Sequence, residues 1–395
     1  MPGKMELSKK ITIFGLGTTG TIVLFLLQKM GIFSQVICID VNMKKAQNEI
    51  SDWADWTKVL LIKASFPFDE KLTRRLQGSF VIINAASSTL NIPIMKLAWQ
   101  IGAHYLDLSS LNNFVAEQLS FSERFIKNGL IALINAGLGP GLTNLMADAL
   151  IRGLINCIVK IYVAETTDCD EDIFLWSIPL ALDEGLSEVP HFGKAKAKEK
   201  TRRPFSQQEF VNFPEPIGRI ECGLVNENEG ITMKDLPNIR EIETKAGGSD
   251  IERLKSLLRT LLKRNTKNDT ENRVKKLLSI LPPPPPSKEV IGLIKQAALR
   301  ESRVGIVVTV KGLNPATEKT EWRKIQWISP GLIDLQSIFP GAIPLRWCTA
   351  FMAVLFIERL LDSKLIQPGV WPPEKLPQED QDIILARSQN MLTYP

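Results

Sequence analysis

The sequence predicts an α/β protein in which a doubly wound parallel sheet is interrupted by an inserted α+β domain. Short apolar runs alternate with amphipathic helical stretches from about residue 11 to residue 136, which is typical of parallel strands covered by helices on both faces. The later sequence changes to alternating strand-like segments, which favour another kind of sheet. At 395 residues the chain exceeds what one hydrophobic core usually serves, so we expect two domains.

The apolar runs define the strands of the first domain, and amphipathic stretches between them define its helices. Helices are expected at residues 18–29, 91–101 and 112–127. A glycine suited to a helix C-terminal cap follows each of them, at Gly31, Gly102 and Gly129. The predicted strands are "ITIFG", "VICID", "VLLIKA", "FVIINAA", "HYLDLS" and "LIALINAG".

The second domain is marked by the segments "CIVKIYVAE", "RVGIVVTVKG" and "TEWRKIQWI", which suggest an antiparallel sheet. We place the first domain at residues 1–140 plus about 335–376, the inserted domain at 141–334, and a polar surface tail at 377–395. The apolar helix at 345–361 is too short to span a membrane and is expected in the core. The proline run at 282–287 is read as a stiff connector or, alternatively, as a ligand for a proline-reading module.

Composition narrows the function classes. A net charge of +5 from 48 basic and 43 acidic residues gives little support for nucleic-acid binding. The five cysteines include no C-x-x-C pair, which argues against a disulfide framework or a structural zinc site and favours a reducing cytoplasm. With no apolar run of about 18 residues and no targeting segment, we expect a cytoplasmic protein without a membrane partner.

A glycine-rich turn, "GLGTTG", directly follows the first strand and places Gly15, Gly17 and Gly20 at the mouth of a helix. The first glycine permits the tight turn, the second lets the backbone approach a pyrophosphate, and the third lets helix and strand pack closely. The free N–H groups at the start of the helix, near Thr18 and Thr19, can bind phosphate oxygens. This pattern predicts a Rossmann dinucleotide-binding domain.

Asp40 strengthens that prediction, since it ends the second strand twenty residues beyond Gly20. A carboxylate there accepts hydrogen bonds from the hydroxyls of an adenosine ribose and repels a 2′-phosphate, which favours NAD over NADP. Lys44 and Lys45 lie close enough in sequence to temper this preference. Two alternatives are a glycine turn that binds nothing and a turn that binds S-adenosylmethionine.

Three further stretches resemble the saccharopine dehydrogenase family. They are "VIINAASSTLNIPIMKLAWQIGAHYLDLSS" at 81–110, "LIALINAGLGPGLTNLMADAL" at 130–150 and "LIQPGVWPPEKL" at 365–376. The resemblance implies NAD(P)-dependent oxidation of an amine carbon, or the reverse reduction. One departure is Gly139, which stands where saccharopine reductases often carry an acidic residue, so the resemblance points to the lysine 6-dehydrogenase side of the family.

Asp107 is the first candidate for a catalytic base, because "HYLDLS" ends a parallel strand and ligands bind beyond the carboxyl ends of such strands. Tyr105 and Ser109 share its face of the strand and are expected beside it, Ser109 towards the substrate. His104 points the other way and is expected to be structural. His191, in the inserted domain, is a second catalytic candidate or a surface-loop residue. Neither histidine has a second ligand at metal-site spacing, so no metal is expected.

The resemblance also implies that Asn84, Ala85 and Ala86 contact the nicotinamide side of the cofactor; a plain strand-to-helix turn is the alternative. It implies a substrate-lining role for Trp176 and Ser177, against ordinary core packing for the tryptophan. Gly139, in the motif "GLGPG", is a further substrate candidate. Arg219 and Arg346 are candidates for binding a substrate carboxylate, and the alternative is that both are plain surface charges.

The leading hypothesis is therefore an NAD-dependent oxidoreductase that acts on the C–N bond of an amino acid or related amine, works as a homodimer and belongs to amino-acid metabolism. A rival is a dinucleotide-binding sensor or assembly protein without turnover. A methyltransferase is the third possibility.

Overall fold

The computed structural model divides the chain into two compact units, Met1–Leu145 with Arg346–Pro395, and Met146–Leu345. The residues that the structure describes are 9–109, 112–170, 173, 175, 192, 193, 202, 203, 205–226, 229–262 and 285–393.

The first unit is built on a parallel sheet of seven strands. Its strands are β1 (Lys9–Phe14), β2 (Phe33–Asp40), β3 (Val59–Lys63), β4 (Ser79–Asn84), β5 (His104–Asp107), β6 (Ile131–Leu133) and β14 (Gly369–Trp371). Their order across the sheet is β14-β6-β5-β4-β1-β2-β3, and every pairing is parallel. The predicted doubly wound α/β fold is thus confirmed, with a seventh strand supplied from the far end of the chain.

Helices connect these strands, as parallel pairing requires, and one further helix follows the last strand. They are α1 (Thr18–Met30), α2 (Met43–Ile50), α3 (Glu70–Leu76), α4 (Asn91–Ile101), α5 (Asn112–Ser120), α6 (Ser122–Lys127), α7 (Leu142–Ile151), α12 (Pro344–Asp362) and α13 (Gln378–Arg387), with short 3₁₀ turns at Ser88–Leu90 and Pro373–Lys375. Gly31 and Gly102 end α1 and α4 in the left-handed conformation, with φ of 68° and 71°. The predicted caps at these two glycines are confirmed.

The order in which strands are added to the sheet reverses between β1 and β4, which are neighbours near its centre. From β1 the chain proceeds outward to β2 and β3, and then crosses back to begin the other half at β4. Ligands of open α/β sheets bind in the crevice beyond the carboxyl ends of the strands at such a reversal. The turns that follow β1 and β4 are therefore the expected binding region.

The second unit contains a mixed sheet, in which the three predicted segments pair antiparallel as expected and one further strand pairs in parallel. Its strands are β7 (Ile155–Cys169), β8 (Phe192–Gly193), β9 (Glu209–Asn212), β10 (Arg219–Leu224), β11 (Ile239–Gly248), β12 (Leu299–Asn314) and β13 (Lys319–Ile328). The order is β13-β12-β7-β11-β10-β9, with β8 beside β11, and β11 runs parallel to β7. Alternation along a strand reports one buried face and carries no information on the direction of the neighbouring strand.

Four helices accompany this sheet among the described residues. They are α8 (Glu229–Met233), α9 (Ser249–Leu262), α10 (Ser287–Lys295) and α11 (Leu332–Gln336). The proline run predicted as a connector lies largely outside the described residues, and its last residue, Ser287, begins α10.

The apolar segment at 345–361 forms most of α12 and is core, as predicted, since Trp347, Phe351 and Phe356 are fully buried. Among the described residues, no helix combines the length and the apolar character needed to cross a membrane.

The C-terminal segment is not a polar surface tail, which corrects the sequence prediction. Residues Gln378–Arg387 form α13, whose Asp380 is 1% exposed and whose Ile384 is fully buried. Asp380 receives hydrogen bonds from Arg359 Nε at 2.9 Å and from Ser363 Oγ at 2.7 Å. Farther along, the Met391 carbonyl accepts from Trp347 Nε1 at 2.9 Å. The polar residues of this segment are thus paired with α12 and the turn that follows it.

Asp380→Ala is expected to lower the free energy of unfolding by about 3 kcal/mol, because it leaves the half-buried Arg359 without its partner. The matched control is Glu379→Ala, which removes an exposed neighbouring carboxylate and is expected to stay within about 0.5 kcal/mol of wild type. Urea unfolding of both variants measures the difference. Equal small effects would contradict the packing of α13 against α12.

Candidate active site

Two turns lie in contact at the centre of the parallel sheet. Gly15, in the turn after β1, has φ of 88°, and a Cβ placed there would lie 2.7 Å from the backbone of Ala86 in the turn after β4. Gly20 is as closely confined, since its Cβ would lie 1.9 Å from the carbonyl oxygen of Gly15. Only glycine fits either position without moving the backbone.

Gly17 differs from its neighbours because it faces open space. No atom lies within 4 Å of the position that a Cβ would take there, and Gly17 is exposed. It occupies the N-cap position of α1, a helix of 13 residues, where no side chain hydrogen-bonds to the first N–H groups, and the first turn of α1 contains no acidic residue. The N–H groups at Thr18 and Thr19 therefore begin an uncapped helix end with a partial positive charge, which fits a pyrophosphate group.

Asp40 holds this glycine turn in place. Its Oδ2 accepts a hydrogen bond from the N–H of Leu16 at 2.8 Å, and its Oδ1 accepts from the N–H of Asn42 at 2.7 Å. Each carboxylate oxygen has a second acceptor position, so the side chain can still bind ribose hydroxyls. Asp40 is only partly buried. It is thus both a clamp on the turn and a candidate ligand of the adenosine ribose.

Asn84 shapes the second turn and does not offer its side chain to a ligand. It is 2% exposed, donates to Asn91 Oδ1 at 2.6 Å and accepts from the N–H of Ala86 at 3.0 Å. Ala85 N–H donates to the Phe14 carbonyl at 2.8 Å, and Ala86 is exposed. The structure therefore presents the backbone at Ala85 and Ala86 for the predicted cofactor contact, with Asn84 behind it.

Asp107 lies in a closed polar network at the carboxyl end of β5. The side chain is 0% exposed; its Oδ1 accepts from Asn135 N–H at 2.8 Å and its Oδ2 from Gln118 Nε2 at 2.6 Å. The hydroxyl of Tyr105 also contacts the Asp107 carboxyl. Burial, which disfavours the charged form, raises the pKa of Asp107 to about 7 in spite of these donors.

Tyr105 joins this network, as expected from its position two residues before Asp107. It is 0% exposed, and its hydroxyl donates to the Asn91 carbonyl at 3.3 Å. Burial, together with the Asp107 charge, raises the pKa of this hydroxyl well above its ordinary value. Since neither Tyr105 nor Asp107 reaches the surface, their assignment as groups that touch substrate stays a prediction, and the geometry describes positioning residues. Ser109 is partly exposed, and its carbonyl accepts from Asn91 Nδ2 at 2.9 Å.

Asn135, immediately beyond β6, is a residue that the sequence analysis missed. Its backbone is left-handed, with φ of 59°, and its side chain is 0% exposed. Among the described residues, neither polar atom of its amide has a hydrogen-bond partner, and the same is true of Gln118 Oε1. A buried unpaired amide costs about 1–3 kcal/mol, and such costs are often found at functional sites. The sequence feature that could have identified Asn135 is its position just beyond a predicted parallel strand, where ligands bind.

The "GLGPG" motif is a compact turn tied to the C-terminal motif. Gly141 has φ of 136°, and a Cβ there would lie 1.8 Å from the Gly137 carbonyl oxygen. The Gly141 N–H donates to Asn144 Oδ1 at 3.0 Å, and Asn144 Nδ2 donates to Glu374 Oε2 at 2.9 Å. Two of the stretches that resemble the family thus meet in the first unit. Gly139 itself is exposed.

The two nominated arginines differ sharply. Arg346 is only partly exposed, burial lowers the pKa of its guanidinium to about 10, and no described residue forms an ion pair or hydrogen bond with it. Such a guanidinium is suited to a carboxylate ligand. Arg219 is exposed and lies over the ring of Phe210, 4.4 Å from its centroid. That contact is typical of a surface charge.

His104 is structural, as predicted, because its Nδ1 accepts from the N–H of Ile131 at 2.9 Å and burial lowers its pKa to about 4. The predicted roles of His191, Trp176 and Ser177 fall outside the described residues. Across the described part of the chain, no group of three or more histidine, cysteine or acidic side chains is placed to hold a metal ion.

Gly17→Ala is expected to weaken NADH binding at least about tenfold without changing stability by more than about 0.5 kcal/mol, because the added methyl group enters the space open for pyrophosphate. Its matched variant, Gly20→Ala, is expected to destabilise the fold by about 2 kcal/mol or more through the clash with Gly15. Fluorescence titration and urea unfolding measure the two effects. Unchanged NADH binding by Gly17→Ala would refute the cofactor assignment of this turn.

Asp107 is expected to make folding stability fall as pH rises from about 4 to 7. In this window the folded protein keeps a proton on Asp107 that the unfolded chain has lost, so the contribution is complete below about pH 4 and declines by about 1.4 kcal/mol per pH unit up to about 7. Unfolding of wild type and Asp107→Asn across this range isolates the effect, since the amide can still accept from Asn135. Parallel pH profiles would show that Asp107 does not hold this proton.

The first domain matches the family model described as saccharopine dehydrogenase NADP binding domain over residues 11–133. A search of curated proteins found no match to the sequence. Among solved structures, the chain is similar to saccharopine dehydrogenase (L-Glu forming) from Saccharomyces cerevisiae, with a TM-score of 0.63 and 15% identity, covering 96% of each chain.

It is also similar to a homospermidine synthase from Legionella pneumophila solved in complex with NAD, with a TM-score of 0.62 and 13% identity, covering 97% of this chain and 90% of the other. At such identities these likenesses establish the fold. The match of residues 11–133 to an NADP-binding domain indicates the class of cofactor, which is a nicotinamide dinucleotide. Residues 11–133 thus resemble the NADP-binding domain of saccharopine dehydrogenases, and the fold of the chain is similar to that of saccharopine dehydrogenase.

Proposed function

We propose that this protein is an NAD(P)-dependent oxidoreductase that acts on the C–N bond of an amino acid or related amine, in the manner of a lysine 6-dehydrogenase. The observation that carries the proposal is the open, uncapped start of α1 at Gly17, clamped by Asp40 inside a domain of this family. The amine specificity is supported by the resemblance of the three sequence stretches to the family.

Residues of the first unit are suited to hold the cofactor. The N–H groups at Thr18 and Thr19 would bind the pyrophosphate, Asp40 the adenosine ribose, and the backbone at Ala85 and Ala86 the nicotinamide side. When bound, nicotinamide supplies the hydride acceptor or donor. Asp40 supports NAD, whereas the description of the matched domain supports NADP.

Asp107 is the group that we propose to hold a proton for the reaction, because a carboxyl with a pKa of about 7 changes its charge near neutral pH. In this proposal Asp107 does not touch the substrate and acts through the residues bonded to it, because it is buried and both of its oxygens already accept hydrogen bonds. The free amide of Asn135, which is anchored to Asp107 through its own N–H, is the part of this network that we propose to engage the reacting amine.

Arg346 is the residue that we propose to bind a substrate carboxylate. Its guanidinium is half-buried and has no anionic partner among the described residues. A carboxylate ligand would supply that partner through paired hydrogen bonds. We further propose a cytoplasmic homodimer, for which cysteine usage and the resemblance to the family are the support.

The rival proposal is a dinucleotide-binding protein without turnover, and the closed network around Asp107 favours it. The two proposals differ in whether an amine changes the absorbance of nicotinamide. The deciding experiment is titration with NADH and NADPH, followed by addition of lysine and other amines with oxidised cofactor. Binding together with lysine-dependent reduction supports the dehydrogenase, and binding without turnover on any amine supports the rival.

Arg346→Gln is expected to raise KM for lysine at least about tenfold, because the charged partner of the carboxylate is lost. Its effect on cadaverine, the matching diamine without a carboxylate, is expected to be less than about twofold. Arg219→Gln, assayed in parallel, is expected to leave both KM values unchanged. An increase of KM for both amines in Arg346→Gln would show that Arg346 acts on something other than the carboxylate.

A further inference from the structure

A cavity of about 370 Å³ lies at the edge of the parallel sheet in the first unit. Its walls come from the end of β3, the turn that follows, and α3. Three exposed cationic side chains line it, Lys63, Lys71 and Arg75. The cavity is distinct from the glycine turn and from the network around Asp107.

The positive charge of this cavity is not neutralised by its surroundings. Among the described residues, no ion pair or side-chain hydrogen bond engages Lys63, Lys71 or Arg75, whereas the adjacent Arg74 pairs with Glu70 at 2.8 Å. Asp69, the acidic residue of the lining, accepts the N–H of Leu72 at 2.7 Å and so caps α3. Three cations against one engaged carboxylate make the cavity a site for an anion.

The cavity lies beside the proposed ribose site. In the pairing of β2 with β3, Lys63 is directly opposite Asp40, and adjacent strands are about 4.8 Å apart. The N–H of Ala64, another lining residue, donates to the Asp40 carbonyl at 3.2 Å. A phosphate carried by the ribose would therefore lie between Asp40 and the cationic side chains.

Asp40 is also a weaker barrier to such a phosphate than its charge suggests. Both of its carboxylate oxygens accept backbone N–H groups, from Leu16 and Asn42, so part of its negative charge is balanced within the protein. Arginine and lysine together are the usual partners of phosphate, arginine through paired hydrogen bonds and lysine as a point charge.

We propose that this cavity binds a phosphate monoester, the 2′-phosphate on the adenosine half of NADP, and that Lys63, Lys71 and Arg75 give the protein affinity for NADPH in spite of Asp40. The inference rests on the proposed function, since it assumes that the glycine turn binds a dinucleotide. It assigns cofactor specificity to the end of β3 and to α3, and not to Lys44 and Lys45 on α2.

The test is fluorescence titration of the full chain with NADH and NADPH in wild type and two matched double variants. Lys63→Ala with Arg75→Ala is expected to raise the Kd for NADPH at least tenfold and the Kd for NADH less than twofold. Lys44→Ala with Lys45→Ala removes the same charge from exposed positions on α2 and is expected to change neither Kd by more than twofold. Thermal unfolding checks that both variants fold.

A larger loss of NADPH affinity in the α2 variant would overturn the assignment, and so would equal Kd values for NADPH in all three proteins. If wild type binds neither dinucleotide, the proposed function fails, and the inference fails with it.

Competition separates the two sources of phosphate. Displacement of NADPH by 2′,5′-ADP is expected at concentrations at least tenfold lower than by 5′-AMP in wild type, and this ratio is expected to approach one in the cavity variant. If inorganic phosphate instead binds wild type but not the cavity variant while the ratio stays unchanged, the cavity holds free phosphate and the 2′-phosphate assignment is wrong.

Discussion

The contact between the turns after β1 and β4 is the constraint on which the rest of the first unit depends. Gly15 and Gly20 are glycines because the Ala86 backbone and the Gly15 carbonyl already occupy the space of a side chain. That contact leaves the start of α1 exposed at Gly17 and brings the Leu16 N–H within reach of Asp40. The strand order, with β1 and β4 as central neighbours, is what brings the two turns together.

A second constraint is the cost of burying polar groups at the carboxyl ends of β5 and β6. Asp107 is held by Asn135, Gln118 and Tyr105, so its burial is compensated by hydrogen bonds from three separate segments. The Asn135 amide is not compensated in this way and also stands in a left-handed conformation. A protein that carried no ligand there would gain stability by replacing it with glycine.

The sequence predicts the parts of the molecule that local rules determine. Gly17 and Asp40 could be found because a dinucleotide turn has a fixed spacing along the chain, and the strands because buried parallel strands are apolar throughout. The closure around Asp107 depends on Gln118 and Asn135, and the burial of α13 on Arg359, which is 21 residues from Asp380. Such long-range pairings leave no periodic signal, so the burial of the C-terminal helix was missed and the parallel pairing of β11 could not be read from the sequence.

The edge strand β14 has a consequence for synthesis. It pairs with β6, yet the whole of Met146–Leu345 lies between these two strands in the chain. While the ribosome makes that segment, the outer edge of β6 has no partner, and unpaired strand edges are sites of aggregation. The parallel sheet of the first unit can therefore be completed only after the chain has been synthesised as far as β14, and until then the edge of β6 is open to pairing with other strands.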